Sequence, residues 1–207
     1  MRQPVISIVD YGIGNTYSIL GALKFLGYRK IKVSANAEDF FVSDALILPG
    51  VGAFQACMHN LKSKHLDDVL NDVVMGLKKP ILGICVGMQM MATFSEEDGL
   101  HNGLNWIPGR VVKLKALEHF AVPHVGWNDL ELCKESLIYN RTQQKPNLYF
   151  DHSYHYRCDE KYITAECNYS HPITASIEKD KIYGVQYHPE KSHDNGLRIF
   201  RSFLSAI

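Results

Sequence analysis

Short apolar runs alternate with amphipathic stretches through the first half of the chain. Residues 5–10 are almost all apolar and end at a turn-rich stretch, a pattern typical of a strand buried on both faces. The same reasoning predicts strands over 31–34, 45–48 and 81–84. Apolar residues at helical spacing predict helices over 17–26, 54–60, 66–76 and 87–94.

The second half is richer in strands. We expect them near residues 111–114, 148–150, 173–177 and 182–187, followed by a closing helix over 196–204. The strand–helix alternation of the first half predicts an α/β fold with a mainly parallel central sheet flanked by helices. A chain of 207 residues with 46% hydrophobic residues can form one such domain, which we expect to span residues 1–207.

Composition narrows the choice of partners and compartments. Lys+Arg and Asp+Glu both number 22, so there is no net charge to attract nucleic acid or an anionic membrane, and we expect neither as a partner. The five cysteines are odd in number and include no Cys-x-x-Cys pair, which argues against a disulfide framework or zinc ribbon. With no apolar segment of signal-peptide or membrane-spanning length, we expect a cytoplasmic protein without cofactor or metal.

The strongest chemical motif surrounds Cys85. Residues 83–87 read G-I-C-V-G between a predicted strand and a predicted helix, the cysteine counterpart of a nucleophile elbow. Glycines suit the crowded turn, and backbone N–H groups after the cysteine favour a thiolate. We expect the N–H of Val86 to contribute to an oxyanion hole. Taken alone, the motif also fits an inert buried cysteine at a strand end.

Two further motifs supply what a cysteine nucleophile needs from distant segments. His188-Pro189-Glu190 follows an apolar strand, and residues i and i+2 of an extended chain point the same way, so the carboxylate can orient the imidazole. Residues 49–52 read P-G-V-G after another strand and predict a loop that turns an N–H toward a ligand. In isolation the first could be a surface loop and the second a tight connection.

Together these motifs resemble the class I, or triad, glutamine amidotransferases, in which a P-G-x-G loop, a G-x-C-x-G elbow with a nearby Gln, and an H-P-E triplet occur in this order. A narrower resemblance covers nearly the whole chain. Its motifs are similar to those of the glutaminase subunits of imidazole glycerol phosphate synthases, and they comprise residues 10–15, 49–54, 123–128, 149–150 with 152–154, and 184–192. Those subunits dock on a (β/α)₈-barrel cyclase that receives ammonia through a tunnel.

The resemblance implies a role for each matching position. Cys85 is the nucleophile, His188 the acid and base, and Glu190 the group that orients His188. Glutamine is held by the positions that match Gln89, Glu97, Ser153 and Tyr154. The oxyanion region includes Val51, Gly52 and Val86. Trp127 and Lys191 match positions near the docking face, although Trp127 could also be a core residue.

Several alternatives remain open at this stage. A related branch supplies ammonia to sugar amidotransferases of surface-polysaccharide pathways, so the partner could be another synthase subunit. A cysteine hydrolase or deglycase, or the glutaminase of pyridoxal phosphate synthase, fits the motifs less well. A non-enzymatic regulatory subunit is a further alternative. His152 and His155 at i, i+3 could suggest a metal site, but no further ligand cluster accompanies them.

Overall fold

The computed structural model describes residues 2–115, 120–142, 145–205 and 207. Its strands, in chain order, are β1 (Ile6–Val9), β2 (Ile31–Ser34), β3 (Ala45–Leu48), β4 (Ile81–Ile84), β5 (Phe94–Ser95), β6 (His101–Asn102), β7 (Gly109–Lys113), β8 (His124–Leu132), β9 (Asn147–His152), β10 (Tyr154–Cys158), β11 (Ile163–Tyr169), β12 (His171–Lys179) and β13 (Ile182–Val185). Its α-helices are α1 (Thr16–Phe25), α2 (Ala37–Val42), α3 (Phe54–Ser63), α4 (Leu66–Asn71), α5 (Val86–Gln89) and α6 (His193–Leu204).

Nine of these strands form one mixed sheet in the order β2-β1-β3-β4-β13-β12-β11-β8-β9. Neighbours from β2 to β13 are parallel, and neighbours from β13 to β9 are antiparallel. The α/β prediction is therefore confirmed, with the parallel half built from the alternating part of the chain and the antiparallel half from its strand-rich part. A smaller sheet has the order β10-β7-β5-β6.

The predicted helix over residues 87–94 is wrong beyond Gln89. The carbonyl groups of Met90, Met91 and Ala92 accept hydrogen bonds from backbone N–H groups of residues 104–107, which replace the bonds that a longer helix would make. The chain then enters β5 at Phe94. Six elements had no clear sequence signal: α2 is only six residues long, β5 and β6 have two residues each, and β8, β10 and β11 mix polar with apolar positions.

The central strands explain where a site can form. β1, β3, β4 and β13 are fully buried, because helices cover the parallel half of the sheet. Their carboxyl ends lie at one edge, where parallel sheets commonly bind ligands. That edge carries the turn after β1, the P-G-V-G loop after β3, Cys85 after β4, and the H-P-E triplet after β13.

Candidate active site

Cys85 occupies a strained turn between β4 and α5. Its backbone has φ +54° and ψ −113°, an unusual conformation for a residue with a side chain, and its N–H donates to Val185 O over 2.8 Å. A Cβ atom on Gly87 would lie 1.9 Å from the carbonyl oxygen of Leu48, and one on Gly83 would lie 2.8 Å from Gly87 O. The glycines that flank the cysteine are therefore required by the close approach of β3, β4 and α5.

The P-G-V-G loop lies directly against this elbow. A Cβ atom on Gly50 would lie 2.5 Å from the backbone nitrogen of Gly87, so the loop and the elbow touch through their backbones. Gly52 has φ +79°, which favours glycine at that position. Behind the loop, the buried hydroxyl of Tyr11 donates to Pro49 O over 2.8 Å. The turn after β1 thus supports the loop from below, a contribution that its sequence had not indicated.

We expect Gly50→Ala to destabilise the protein because its new methyl group must displace backbone atoms. The free energy of unfolding should fall by about 1–3 kcal/mol, the range for overpacking a tight site. Gly21→Ala is the matched control, since a Cβ atom at Gly21 in α1 meets nothing within 4 Å. That variant should gain about 0.5–1 kcal/mol. Urea unfolding of both variants checks this prediction, which fails if Gly50→Ala is as stable as the wild type.

His188 and Glu190 form a buried pair beside the elbow. The backbone N–H of His188 donates to the backbone carbonyl of Tyr149 over 2.8 Å. The imidazole Nδ1 of His188 donates to Glu190 Oε1, also over 2.8 Å. Both side chains are almost fully buried, with 3% and 1% exposure. A Cβ atom on Gly196 would lie 1.9 Å from Pro189 O, so α6 packs closely against the triplet and fixes it. The predicted i, i+2 pairing of these side chains is therefore present.

The surroundings of His188 favour its charged form. Burial alone would lower the pKa of the imidazole, but the neighbouring Cys85 and the Glu190 carboxylate raise it to about 10. At neutral pH the ring is therefore an imidazolium. The imidazolium can donate a proton to a group bound next to Cys85, and the Glu190 carboxylate stabilises the positive charge of the ring.

A cavity of about 340 Å³ opens above these groups. Ten of the twelve residues predicted from the sequence line it: Val51, Gly52, Cys85, Val86, Gln89, Glu97, Ser153, Tyr154, His188 and Lys191. Of the other two, Glu190 lies behind His188 and Trp127 lies apart from the cavity, with 45% exposure. Pro123, Asp151 and His152 complete the lining. A strained cysteine, an imidazolium and a concave pocket together suit nucleophilic attack on a small bound molecule.

Two of the predicted substrate-binding residues also hold the pocket wall together. Gln89 Nε2 donates to Tyr154 O over 3.0 Å, which links the elbow to the start of β10. Glu97 Oε2 accepts the N–H of Phe54 over 2.8 Å and so ties the loop after β5 to the first turn of α3. Glu97 therefore fixes the segment that follows the P-G-V-G loop, in addition to lining the cavity.

Sequence reasoning missed several polar residues around the pocket. His152 Nδ1 donates to Tyr154 O over 2.8 Å, and its Nε2 lies 3.2 Å from His124 Nδ1. Burial lowers the pKa of His152 to about 3 and that of His124 to about 4, so both rings are neutral. Gln186 was missed as well, although it precedes His188 by two residues, and the same i, i+2 argument could have found it.

The histidines of β9 and β10 do not form a common site. His152 contacts His124, whereas His155 packs edge-on against His171, with ring centroids 5.6 Å apart. Within the described residues, no group of three or more His, Cys, Asp or Glu side chains is placed to hold a metal ion. Among the helices of the same part of the chain, none is long and apolar enough to cross a membrane.

Trp127 and Lys191 belong to one surface patch beside the cavity. The Trp127 ring stacks on His193 at 5.1 Å between centroids and meets Tyr149 edge-on at 5.9 Å. Lys191 Nζ lies 5.3 Å from the centroid of the same Tyr149 ring and 4.0 Å from Asp151 Oδ2. Trp127 is 45% exposed, so the interpretation of it as a core residue is wrong. We call Trp127, Tyr149, Lys191 and His193 the aromatic patch.

Comparison with known proteins agrees with this geometry. Residues 7–206 match the family described as glutamine amidotransferase class-I, and the chain belongs to that family. Solved structures share its fold: one titled glutamine amidotransferase has a TM-score of 0.77 at 19% identity, covering 98% of this chain and 100% of that one. A chain of PurLQS from Thermotoga maritima has a TM-score of 0.71 at 16% identity, covering 99% of both chains.

Within the family, the curated relatives point to one branch. The imidazole glycerol phosphate synthase subunit HisH 2 of Vibrio vulnificus is 45% identical over 98% of this chain and 94% of its own length. The subunit HisH of Listeria monocytogenes is 43% identical over 96% of this chain and 94% of its own length. The narrower resemblance read from the sequence is therefore confirmed: this chain groups with the HisH subunits.

Proposed function

We propose that this protein, as one domain over residues 1–207, hydrolyses glutamine and delivers ammonia to a (β/α)₈-barrel cyclase that forms imidazole glycerol phosphate in histidine biosynthesis. The observation that carries the proposal is that Cys85 and His188 line the 340 Å³ cavity, with Glu190 bonded to His188 behind it. The names of the relatives support the choice of pathway and favour it over the surface-sugar alternative. An intact nucleophile, acid and carboxylate argue against a purely regulatory role.

In the first half of the reaction, Cys85 attacks glutamine. The thiolate forms a bond to the side-chain amide carbon, and the carbonyl oxygen becomes an oxyanion. Backbone N–H groups of Val86 and of the loop at Val51 and Gly52 stabilise that charge, and each such donor contributes about 3–4 kcal/mol to lowering the barrier. The His188 imidazolium donates its proton to the amide nitrogen, and the C–N bond breaks. Ammonia departs, and a glutamyl thioester remains on Cys85.

In the second half, water releases glutamate. His188, now neutral, takes a proton from a water molecule as the water oxygen bonds to the thioester carbon. The same N–H groups stabilise the second oxyanion, the C–S bond breaks, and the Cys85 thiolate and the imidazolium are restored. The P-G-V-G loop touches the elbow through Gly50, so a small movement of that loop can change the rate of both steps. We expect low activity of the isolated protein for this reason.

The aromatic patch is the docking face that we propose for the cyclase. Ammonia released into bulk water is protonated and no longer nucleophilic, so a partner must cover the pocket side of the protein. The patch adjoins the cavity through Lys191, which belongs to both. Trp127 is exposed and Tyr149 is half-buried, and Trp and Tyr side chains are typical centres of protein interfaces.

We expect Trp127→Ala to weaken binding to the cyclase. Truncation of a central aromatic residue costs at least about 2 kcal/mol, which corresponds to a Kd about 30-fold higher. Phe41→Ala is the matched control, because Phe41 is a similarly exposed aromatic residue (43% against 45%) on α2, outside the patch. Titration calorimetry with the cyclase measures both variants. A Kd unchanged by Trp127→Ala would exclude the aromatic patch as the docking face.

An isotope experiment tests the proposed delivery of ammonia. Glutamine labelled at its amide nitrogen is supplied to the complex together with an excess of unlabelled ammonium and the nucleotide substrate of the cyclase. We expect the label to enter the imidazole product with little dilution, because ammonia passes between the two proteins without entering the solvent. Product that carries the isotope ratio of the bulk ammonium would contradict delivery to this partner.

A further inference from the structure

The buried carboxamide of Gln186 contacts the sulfur of Cys85. Gln186 follows β13 and is 0% exposed, and its backbone N–H donates to Ala175 O over 2.8 Å. Its side-chain Nε2 donates to Cys85 Sγ over 3.6 Å, a distance within hydrogen-bonding range for the large sulfur atom. A polar side chain anchored in the sheet thus reaches the atom that we propose as the nucleophile.

A backbone carbonyl determines which way this amide faces. Gln89 Nε2 donates to Tyr154 O and to Gln186 Oε1, over 3.0 Å in both cases. A carbonyl oxygen only accepts, so Gln89 must turn its amino group toward Tyr154. Gln186 must then turn its oxygen toward Gln89 and its amino group toward Cys85. The hydrogen-bond network therefore assigns the amide orientation of Gln186 without ambiguity between oxygen and nitrogen.

Gln186 is one of three polar neighbours of the sulfur, because His188 also bonds Cys85 and its positive charge favours a thiolate. Cys85 Sγ also donates to Asp151 O over 3.9 Å, and this bond requires the thiol proton, so it is lost on ionisation. Gln186 Nε2 donates to the thiol and more strongly to the thiolate. Helix α5 has only four residues, so its dipole can add little to the stabilisation expected from the sequence.

We propose that Gln186 is a catalytic residue that stabilises the Cys85 thiolate and fixes the position of its sulfur through the Nε2–H···Sγ hydrogen bond. Gln89 and the carbonyl of Tyr154 hold the amide in the required orientation. The inference rests on the proposed glutaminase function and deepens it. No proton is transferred by Gln186, because the bond only strengthens as negative charge forms on sulfur. One hydrogen bond to a charged group shifts such an equilibrium by about 10- to 100-fold.

The test measures alkylation of Cys85 by iodoacetamide as a function of pH in the full chain without glutamine. Peptide mapping by mass spectrometry separates Cys85 from the four other cysteines. Gln186→Met removes the donor at similar size, and Gln186→Asn retains an amide but withdraws it by about 1.5 Å, one C–C bond. Tyr187→Phe is the matched control, since it deletes a neighbouring buried hydroxyl that bonds Tyr139 at 3.0 Å. Circular dichroism confirms that each variant is folded.

We expect the alkylation midpoint to move upward by about one to two pH units in both Gln186 variants, the equivalent of a 10- to 100-fold change, and not in Tyr187→Phe. Glutamate release should fall by a similar factor. A folded Gln186 variant with the wild-type alkylation profile would overturn the inference, even if its activity were low, because a merely structural role would leave the midpoint unchanged. Wild-type protein that alkylates normally but releases no glutamate even with the loaded cyclase would instead overturn the proposed function.

Discussion

Replacement of Cys85 by alanine is expected to abolish glutamine-dependent turnover and to leave ammonia-dependent synthesis by the cyclase intact. The variant lacks the Cys85 sulfur, the atom that we propose to bond with the amide carbon of glutamine. Glutamate release should therefore fall by at least about 10⁴-fold. The cyclase keeps its own chemistry, because the pocket of this protein only supplies ammonia. Adding ammonium to the variant complex should therefore restore product formation to the wild-type rate.

The control for this experiment is Cys167→Ala. Cys167 is buried in β11, within the antiparallel half of the sheet, and does not line the cavity. Its variant should keep glutamate release unchanged apart from a modest loss of stability. Substantial glutamine-dependent turnover in Cys85→Ala would contradict the assignment of the nucleophile. Loss of ammonia-dependent synthesis would contradict the claim that this protein contributes only ammonia to the reaction of the cyclase.

Glu190→Gln should lower kcat by about 10⁴-fold, the effect of neutralising the carboxylate that orients a catalytic histidine. The amide keeps the shape of the side chain but removes its negative charge. The pKa of His188, raised to about 10 by Cys85 and Glu190, should then fall toward its ordinary 6.5. Less imidazolium is available to protonate the leaving nitrogen, so the variant should lose activity at a lower pH than the wild type.

The same change should alter how stability depends on pH. Because the pKa of His188 is higher in the folded state, its contribution to stability is complete below pH 6.5 and is lost as pH rises through 10. Glu190→Gln should reduce this loss, and urea unfolding across the interval measures it. Glu178→Gln is the control, since Glu178 accepts a hydrogen bond from Ser136 far from the cavity. Identical pH profiles for Glu190→Gln and the wild type would contradict the raised pKa.

The parts of the site that the sequence predicted are those with local chemical signatures. The glycines around Cys85, the P-G-V-G loop and the H-P-E triplet each encode a turn and a side-chain direction within a few residues. Parallel strands then bring the three motifs to one edge without further information. The parallel half of the sheet was predictable for a similar reason, since fully buried strands appear as continuous apolar runs.

What the sequence did not reveal depends on long-range contacts. Helix α5 ends at Gln89 because backbone N–H groups of residues 104–107 donate hydrogen bonds to the carbonyl groups of the residues that follow it. β8 alternates exposed residues with buried or half-buried ones over most of its length, and its pairing with β9 cannot be predicted from either segment alone. The network from Tyr154 through Gln89 and Gln186 to Cys85 likewise joins segments up to 101 residues apart.

The most direct test of this account is glutamate release from glutamine by the purified protein, alone and with the barrel cyclase and its nucleotide substrate from the same organism. We predict slow release by the isolated protein and strong stimulation when the loaded cyclase docks. Equal rates with and without that cyclase would contradict the proposed partner while leaving the glutaminase chemistry in place. Absence of glutamate under every condition would contradict the role assigned to Cys85, His188 and Glu190.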